Sequence, residues 1–255
     1  MHFYFIRHGQ SENNAIWDRT GSSLGRSVDP ELTEVGRQQV ELLAKFLTRH
    51  SPIYAADEYD PHNRMGFGIT HLYTSLMLRA VTTGTVIAEA LDLPLLGWVD
   101  IHEAGGIYVL NEETDERIGL PGNNRVFFET HYPLLTIPGS VGEEGWWNRP
   151  FEEYEQVPFR ARRALTELIK NHGNTDDKVA IISHGGFYNI FINQLLNCFQ
   201  PDDGEEQARG SDQWSLNKHW FLLNNIAITR IDFIEDEINV VYMNRIDFIP
   251  QHLIT

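Results

Sequence analysis

Two short apolar runs, each closed by a histidine and a glycine, constrain this chain more than any other feature. The first, His2-Phe3-Tyr4-Phe5-Ile6, stops at Arg7-His8-Gly9; the second, Lys178-Val179-Ala180-Ile181-Ile182, stops at Ser183-His184-Gly185-Gly186. Short continuous apolar runs of this kind, bounded by polar and turn residues, are consistent with strands buried on both faces, as in parallel sheets covered by helices. Such sheets bind ligands outside the carboxyl ends of their strands, which is where both His-Gly pairs fall. An imidazole titrates near neutrality and so offers an uncharged nucleophile or proton shuttle, and the adjoining glycine lets backbone approach a ligand closely.

The segments between the runs supply the helices. Val35, Val40, Leu43 and Leu47 keep a helical spacing within Glu34 to Arg49, with Thr33 as N-cap. A loop is expected over Ser51 to Gly68, a strand around Ile69 to Tyr73, a helix from about Leu76 to Leu91 capped by Ser75, and a strand over Leu95 to Val99. From Gly105 to about Pro150 the periodicity breaks at the Leu120-Pro121-Gly122 and Ile137-Pro138-Gly139 turns, so this stretch reads as a cap with Trp146 and Trp147 in its core. Helices are expected near Glu152 to Asn171 and Phe187 to Asn197. An acidic insertion follows, and Glu235-Asp236-Glu237 then links Ile226–Ile234 to Ile238–Ile246 as a hairpin. The expected fold is α/β, a three-layer αβα sandwich around a mostly parallel mixed sheet. One domain is expected, with a core of about 1–105 and 151–255, a cap insertion of about 106–150 and a polar insertion of about 199–220.

Charge narrows the partners. Among 255 residues, 20 basic against 36 acidic side chains give a net charge of −16. Nucleic acid and anionic membranes both require a basic face, so neither is an expected partner. No apolar stretch approaches the roughly 20 residues of a membrane span. The lone Cys198 has no intramolecular disulfide partner, and no secretory leader is legible at the N-terminus, so a cytoplasmic location is expected. No residue pattern fixes an oligomeric state.

Three further side chains point to anion chemistry. Arg79 falls in the first turn of a predicted helix, where the helix dipole disfavours a cation unless an anion binds there. Arg7 supplies a second guanidinium, suited to paired phosphate or carboxylate oxygens. Glu103, flanked by apolar and small residues before Gly105-Gly106, is placed as a general acid. Gly21-Ser22-Ser23-Leu24-Gly25 has the spacing of a serine-hydrolase elbow but lacks the strand that must precede one. No P-loop, dinucleotide-binding glycine motif or H-E-x-x-H zinc motif is present.

In chain order, Arg7-His8-Gly9-Gln10-Ser11-Glu12-Asn13-Asn14, Leu32-Thr33-x-x-Gly36-x-x-Gln39, Ser75-x-x-x-Arg79-Ala80, Glu103 and Ser183-His184-Gly185 closely resemble the histidine phosphatase superfamily, the phosphoglycerate-mutase-like fold. The resemblance implies two-step phosphoryl transfer. His8 is similar to the nucleophile, and Glu103 to the acid that protonates the leaving oxygen and later activates water. Arg7, Arg79 and His184 resemble the phosphate-binding pocket, with Gln10, Ser11, Asn14 and Gly185 adding contacts. It also implies a small phosphorylated substrate and neither metal nor cofactor. Cofactor-dependent mutases of this family usually carry Glu and Arg where this chain has Gln10 and Ala104, and the cap is acidic through Glu112, Glu113, Asp115, Glu116, Glu143 and Glu144. A phosphatase is therefore expected, with a mutase and an inactive phosphate-binding or protein-interaction module as alternatives. Tyr108, Arg117, Arg125 and Arg149 are the cap residues expected to meet substrate.

Overall fold

Side-chain alternation along the first apolar run sets the layering. The computed structural model describes residues 1–50, 59–111, 113–197, 219–235 and 237–255. Its strands are β1 (His2–Arg7), β2 (His71–Thr74), β3 (Leu95–Gly97), β4 (Tyr108–Leu110), β5 (Arg117–Gly119), β6 (Leu135–Thr136), β7 (Lys178–Ser183), β8 (Ile228–Ile234) and β9 (Glu237–Arg245). Its helices are α1 (Glu12–Thr20), α2 (Glu34–Leu47), α3 (Leu78–Leu91), α4 (Arg125–His131), α5 (Val157–His172) and α6 (Gly185–Asn197). In β1, Phe3 and Phe5 enter one hydrophobic cluster while Tyr4 and Ile6 enter the other. Strand β7 repeats this division, with Val179 and Ile181 on the first side and Ala180 and Ile182 on the second. Period-two alternation thus feeds two cores at once. Helices α5 and α6 close the first through Val157, Leu165, Phe187 and Phe191, and α2 and α3 close the second through Leu43, Leu47, Val81 and Ile87.

Seven strands form the central sheet in the order β6-β3-β2-β7-β1-β8-β9. The first five run parallel, and β8 and β9 join antiparallel. Strands β4 and β5 make a separate antiparallel ribbon. The expected three-layer mixed sheet is thus present, with the terminal hairpin strands as its antiparallel edge. The 106–150 segment does more than the expected cap: it returns β6 to the sheet beside β3, with Leu135 opposite Leu95. Residues 51–58 of the expected loop, Cys198, Glu112, Asp236 and most of the expected polar insertion lie outside the described residues. Among the described residues no helix is long and apolar enough to cross a membrane.

Local boundaries differ from expectation for identifiable reasons. Helix α3 begins at Leu78 with no side-chain cap at its start, because the Ser75 hydroxyl pairs with His184 at 2.9 Å. The Leu78 N–H instead donates to Asp29 Oδ1 at 3.1 Å. Helix α5 begins at Val157 rather than near Glu152, since Pro158 lacks an amide hydrogen and is tolerated only in a first turn. Helix α1 went unread, because none of its residues is buried and it carries no apolar stripe. A capping box fixes its start, with the Ser11 hydroxyl accepting from the Asn14 N–H and Asn14 Oδ1 accepting from the Ser11 N–H. Gly21 ends α1 in the left-handed region, so a helix and not a strand precedes the Ser22-Ser23 decoy.

The turn after β1 is seated on α2. The Thr33 N–H donates to Gln10 O at 2.9 Å, and the Gln10 N–H donates to Gln39 Oε1 at 2.8 Å. Backbone approaches backbone so closely that a Cβ on Gly36 would stand 2.1 Å from Gln10 O, and one on Gly9 would stand 2.8 Å from Gly36 O. Gly36→Ala is therefore expected to destabilise the protein by about 1–3 kcal/mol or more, as overpacking does. Urea unfolding of wild type and variant checks this, and an unchanged midpoint would refute the packing account.

Candidate active site

Pairing of β1 with β7 sets Arg7 opposite Ser183, and the His8 N–H donates to Ser183 O at 3.1 Å. The next residue on each strand is a histidine, so the His8 and His184 rings lie 5.1 Å apart, centroid to centroid. Both imidazoles are buried. The His8 Nδ1 is 2.6 Å from the Gly9 carbonyl oxygen, and the Arg79 Nε–H donates to His8 Nε2 at 3.1 Å. A nitrogen that accepts from a guanidinium carries no proton, so the proton resides on Nδ1 and donates to Gly9. Burial, reinforced by the charges of Arg79 and Arg7, holds His8 well below the usual imidazole range.

Each guanidinium is held from behind. Arg79 is the second residue of α3, as its expected first-turn position requires, and Asp29 stands 3.8 Å from it while accepting from Leu78. Burial raises the Asp29 carboxyl to about 6 against the pull of Arg79. Arg7 donates to Leu223 O at 2.5 Å, and its Nε has no hydrogen-bond partner. Burial lowers Arg7 to about 10, which still leaves it charged at neutral pH.

His184 has a defined orientation as well. The Met77 N–H donates to Ser75 Oγ at 3.3 Å, which frees the Ser75 proton for His184 Nε2. The His184 proton then belongs on Nδ1, which is buried with no partner. Burial, with Arg79 as the next contributor, holds this ring well below the usual range too.

Glu103 lies at the N-terminus of α6. Its Oε1 accepts from the Phe187 N–H at 2.7 Å and from the Ala104 N–H at 2.9 Å, and its Oε2 accepts from the Gly186 N–H at 3.0 Å. Amide donors surround it, where the sequence suggested an apolar setting. The chain leading into Glu103 is clamped by buried Arg160, which donates to Asp100 O at 2.8 Å and His102 O at 3.0 Å. Arg160 also makes a two-pronged pair with Glu152 at 2.6 and 2.7 Å, and stacks 4.6 Å above the Phe187 ring. His102, buried against Trp147 at 4.7 Å, turns its Nδ1 to Glu103 O at 2.8 Å. Trp146 and Trp147 are accordingly packing residues, both buried.

Seven of the residues singled out in the sequence, Arg7, His8, Ser11, Asn14, Arg79, Glu103 and Gly185, line one cavity of about 390 Å³. His184 packs against His8 and does not line the cavity. Gln10 does not line it either: its Oε1 accepts from Thr33 at 2.7 Å and its amide reaches Asp18 at 3.4 Å. Tyr108 contacts the cavity through Arg26, which donates to its hydroxyl and lies 4.5 Å from its ring. Arg117 stacks over Phe151 at 5.0 Å, Arg125 donates to Val141 O and Pro138 O, and Arg149 lies 4.1 Å over Trp147 beside a different cavity. These three are held by their own neighbourhoods, away from the cavity of His8. Asp29, Arg26, His102 and Arg160 went unread in the sequence. No motif marks them, and Asp29, Arg26 and Arg160 each act on a partner at least fifty residues away. His102, whose ring touches its neighbour Glu103 but packs on Trp147, differs only in that its closest partner is sequential.

With Arg7, Arg26 and Arg79 against Glu103, the cavity is locally cationic within a chain of net charge −16. The family model of the histidine phosphatase superfamily (branch 1) matches residues 3–59 and 62–246. The chain belongs to that superfamily. A 2,3-bisphosphoglycerate-dependent phosphoglycerate mutase 1 from Latilactobacillus sakei is 30% identical over 118 residues, 44% of this chain. That match spans only 42% of the mutase's own length. Phosphoserine phosphatase from Entamoeba histolytica, solved with 3-phosphoglyceric acid, superposes with a TM-score of 0.55 at 19% identity, covering 97% of this chain and 98% of that one. Mycobacterial glucosyl-3-phosphoglycerate phosphatase, solved with inorganic phosphate, gives 0.54 at 16% identity over 98% and 99%. These superpositions establish the shared superfamily fold.

Two outcomes follow from the buried charges. His8, His102 and His184 are all held neutral in the fold well below the usual range. Below the unfolded value near 6.5 the unfolded chain binds protons that the folded chain refuses, so stability is present above that pH and is lost as pH falls. Each imidazole contributes a loss of about 1.4 kcal/mol per pH unit, partly offset by protonation of Asp29. Urea midpoints at pH 7.5 and 5.5 should fall accordingly; equal midpoints would contradict the burial assigned to these rings. Arg160→Met leaves Glu152 charged and unpaired, and should cost about 3–5 kcal/mol, measured in the same unfolding assay.

Proposed function

We propose that the chain is a cytoplasmic, metal-independent phosphomonoester hydrolase working through a phosphohistidine on His8, with residues 106–150 as the substrate-facing cap of a single domain. The observation that carries this is the tautomer of the His8 ring. Its Nδ1 proton is spent on Gly9, and its Nε2 electron pair lies beside Arg79 in a cationic cavity. A phosphoryl group drawn in by Arg7 and Arg79 takes the Arg79 Nε–H onto one of its own oxygens, which releases the His8 Nε2 electron pair for attack. Phosphoryl transfer depends mostly on such positioning and on stabilising charge.

In the first step Nε2 attacks phosphorus in line, the bond from phosphorus to the ester oxygen breaks, and that oxygen takes a proton from the Glu103 carboxyl. In the second, water attacks the phosphohistidine, Glu103 takes the water proton, and the phosphorus–nitrogen bond breaks. Arg7 and Arg79 hold the phosphoryl oxygens, with Ser11, Asn14 and the backbone at Gly185 around them and the His184 ring packed against His8 behind the cavity wall. Arg160 and Glu152 position Glu103 through its preceding backbone. A cavity of about 390 Å³ with Arg26 on its wall suits a small phosphorylated molecule carrying a second anionic group. Phosphoserine and 3-phosphoglyceric acid, the ligands of the amoebic phosphatase, are of that kind.

The partial similarity to a phosphoglycerate mutase supports a second possibility, isomerisation of phosphoglycerate. Gln10 and Ala104, and the acidic Glu113, Asp115 and Glu116, favour hydrolysis.

Phosphate release from a panel of phosphomonoesters, with a coupled mutase assay on the same sample, separates the two. Hydrolysis is expected, vanadate should inhibit it competitively, and EDTA should leave it unchanged. His8→Ala should abolish turnover, and retained activity in that variant would overturn the proposal. Glu103→Gln should slow alkyl phosphates by about 10²–10⁴-fold while sparing aryl phosphates, whose leaving oxygen needs little protonation. Equal losses on both classes would remove Glu103 from the role of acid.

A further inference from the structure

At the end of the sheet where β2 and β7 begin, remote from the His8 cavity, two imidazoles and a carboxylate converge. His71 opens β2, His172 closes α5, and Asp177 immediately precedes β7. The six residues of β7, at roughly 3.3 Å each, separate this cluster from His184. His172 Nδ1 stands 2.7 Å from Asp177 Oδ2, and His71 Nδ1 stands 3.7 Å from Asp177 Oδ1. One ligand atom from each residue lies within 4.8 Å of the other two, the one such grouping among the described residues.

The surroundings distinguish this cluster from a chance surface group. His172 is buried, and its Nε2 lies 3.0 Å from the Tyr73 hydroxyl. His172 Nδ1 faces the Asp177 carboxylate at 2.7 Å, so a metal ion entering there takes the place of the ring proton between them while Nε2–H donates to the tyrosine oxygen. An outer-shell oxygen on the far ring nitrogen is the partner that metal-ligating histidines ordinarily have. His71, with its side chain 36% exposed, leaves an entry path from solvent.

We propose that His71 Nδ1, His172 Nδ1 and the Asp177 carboxylate form a binding site for a divalent transition-metal ion of the zinc class, with solvent as fourth ligand. Two imidazoles and one carboxylate suit that class, whereas calcium and magnesium prefer all-oxygen sets. Bonds of about 2.0–2.1 Å place tetrahedral ligand atoms about 3.3 Å apart. The observed separations of 2.7 and 3.7 Å lie on either side of that value, and metal binding requires the Thr70 hydroxyl, 2.9 Å from His71 Nδ1, to give up that nitrogen and keep its bond to Lys178 O. The ion ties the start of β2, the end of α5 and the start of β7 together, and takes no part in phosphoryl transfer.

The test uses the full chain, stripped with chelator and titrated with Zn²⁺ by calorimetry and with Co²⁺ by visible absorption. Wild type and His8→Ala should each bind one ion, with Co²⁺ giving the intense bands of a tetrahedral site. Exposed His71→Ala, checked for folding by circular dichroism, should lose that binding while keeping wild-type phosphate release. Tyr73→Phe should bind about 10–100-fold more weakly. Zn²⁺ should raise Tm in wild type and not in His71→Ala. No binding by wild type, or binding that survives His71→Ala, would overturn the proposal; loss in His8→Ala with retention in His71→Ala would place the ion on the catalytic imidazoles instead.

Discussion

Parallel pairing of β1 with β7 is the constraint on which the rest depends. One register puts Arg7 beside Ser183, and therefore puts two histidines far apart in the chain side by side at the sheet's carboxyl edge. A slip of one residue would turn Phe3 and Phe5 out of their cluster and Tyr4 and Ile6 out of the other, reversing both cores at once. Apolar burial on the two faces thus enforces an alignment whose chemical result appears only at the strand ends. Arg79 and Glu103 are then brought in by the elements that flank this pair.

The charges at that edge are arranged to keep an imidazole neutral and an anion welcome. Desolvation and two guanidiniums act in the same direction on His8, while Asp29 and the Arg160–Glu152 pair hold Arg79 and the approach to Glu103. Buried polar atoms without partners cost about 1–3 kcal/mol each, and five of them, on Arg7, Arg26, Asp29, His102 and His184, gather within this region.

What could be read from the sequence was what repeats with a short period or follows a strand. The β7 boundaries, the Thr33 cap and the membership of both His-Gly pairs in one sheet edge are local signals of this kind. Helix α1 lacked an apolar stripe, and its one legible mark was the Ser11-x-x-Asn14 spacing of its cap. Asp29 and Arg160 carry no local signal at all, since their meaning lies in carbonyls and guanidiniums reached only after folding. The cap arginines misled for the opposite reason: Arg125 and Arg149 are basic and near a presumed site, yet backbone carbonyls and an indole ring already occupy them.

The return of β6 to the sheet has a consequence for how this family member can diverge. Because Leu135 sits opposite Leu95 as part of the central sheet, the stretch between β3 and α5 is anchored near its middle as well as at both ends. Length changes are then absorbed unequally. The exposed turn joining β4 to β5 can grow or shrink without disturbing strand pairing, whereas residues 132–138 must keep their spacing to stay in register. Changes of length in that stretch are thus expected to fall in its first half, while the second half is constrained by its place in the sheet.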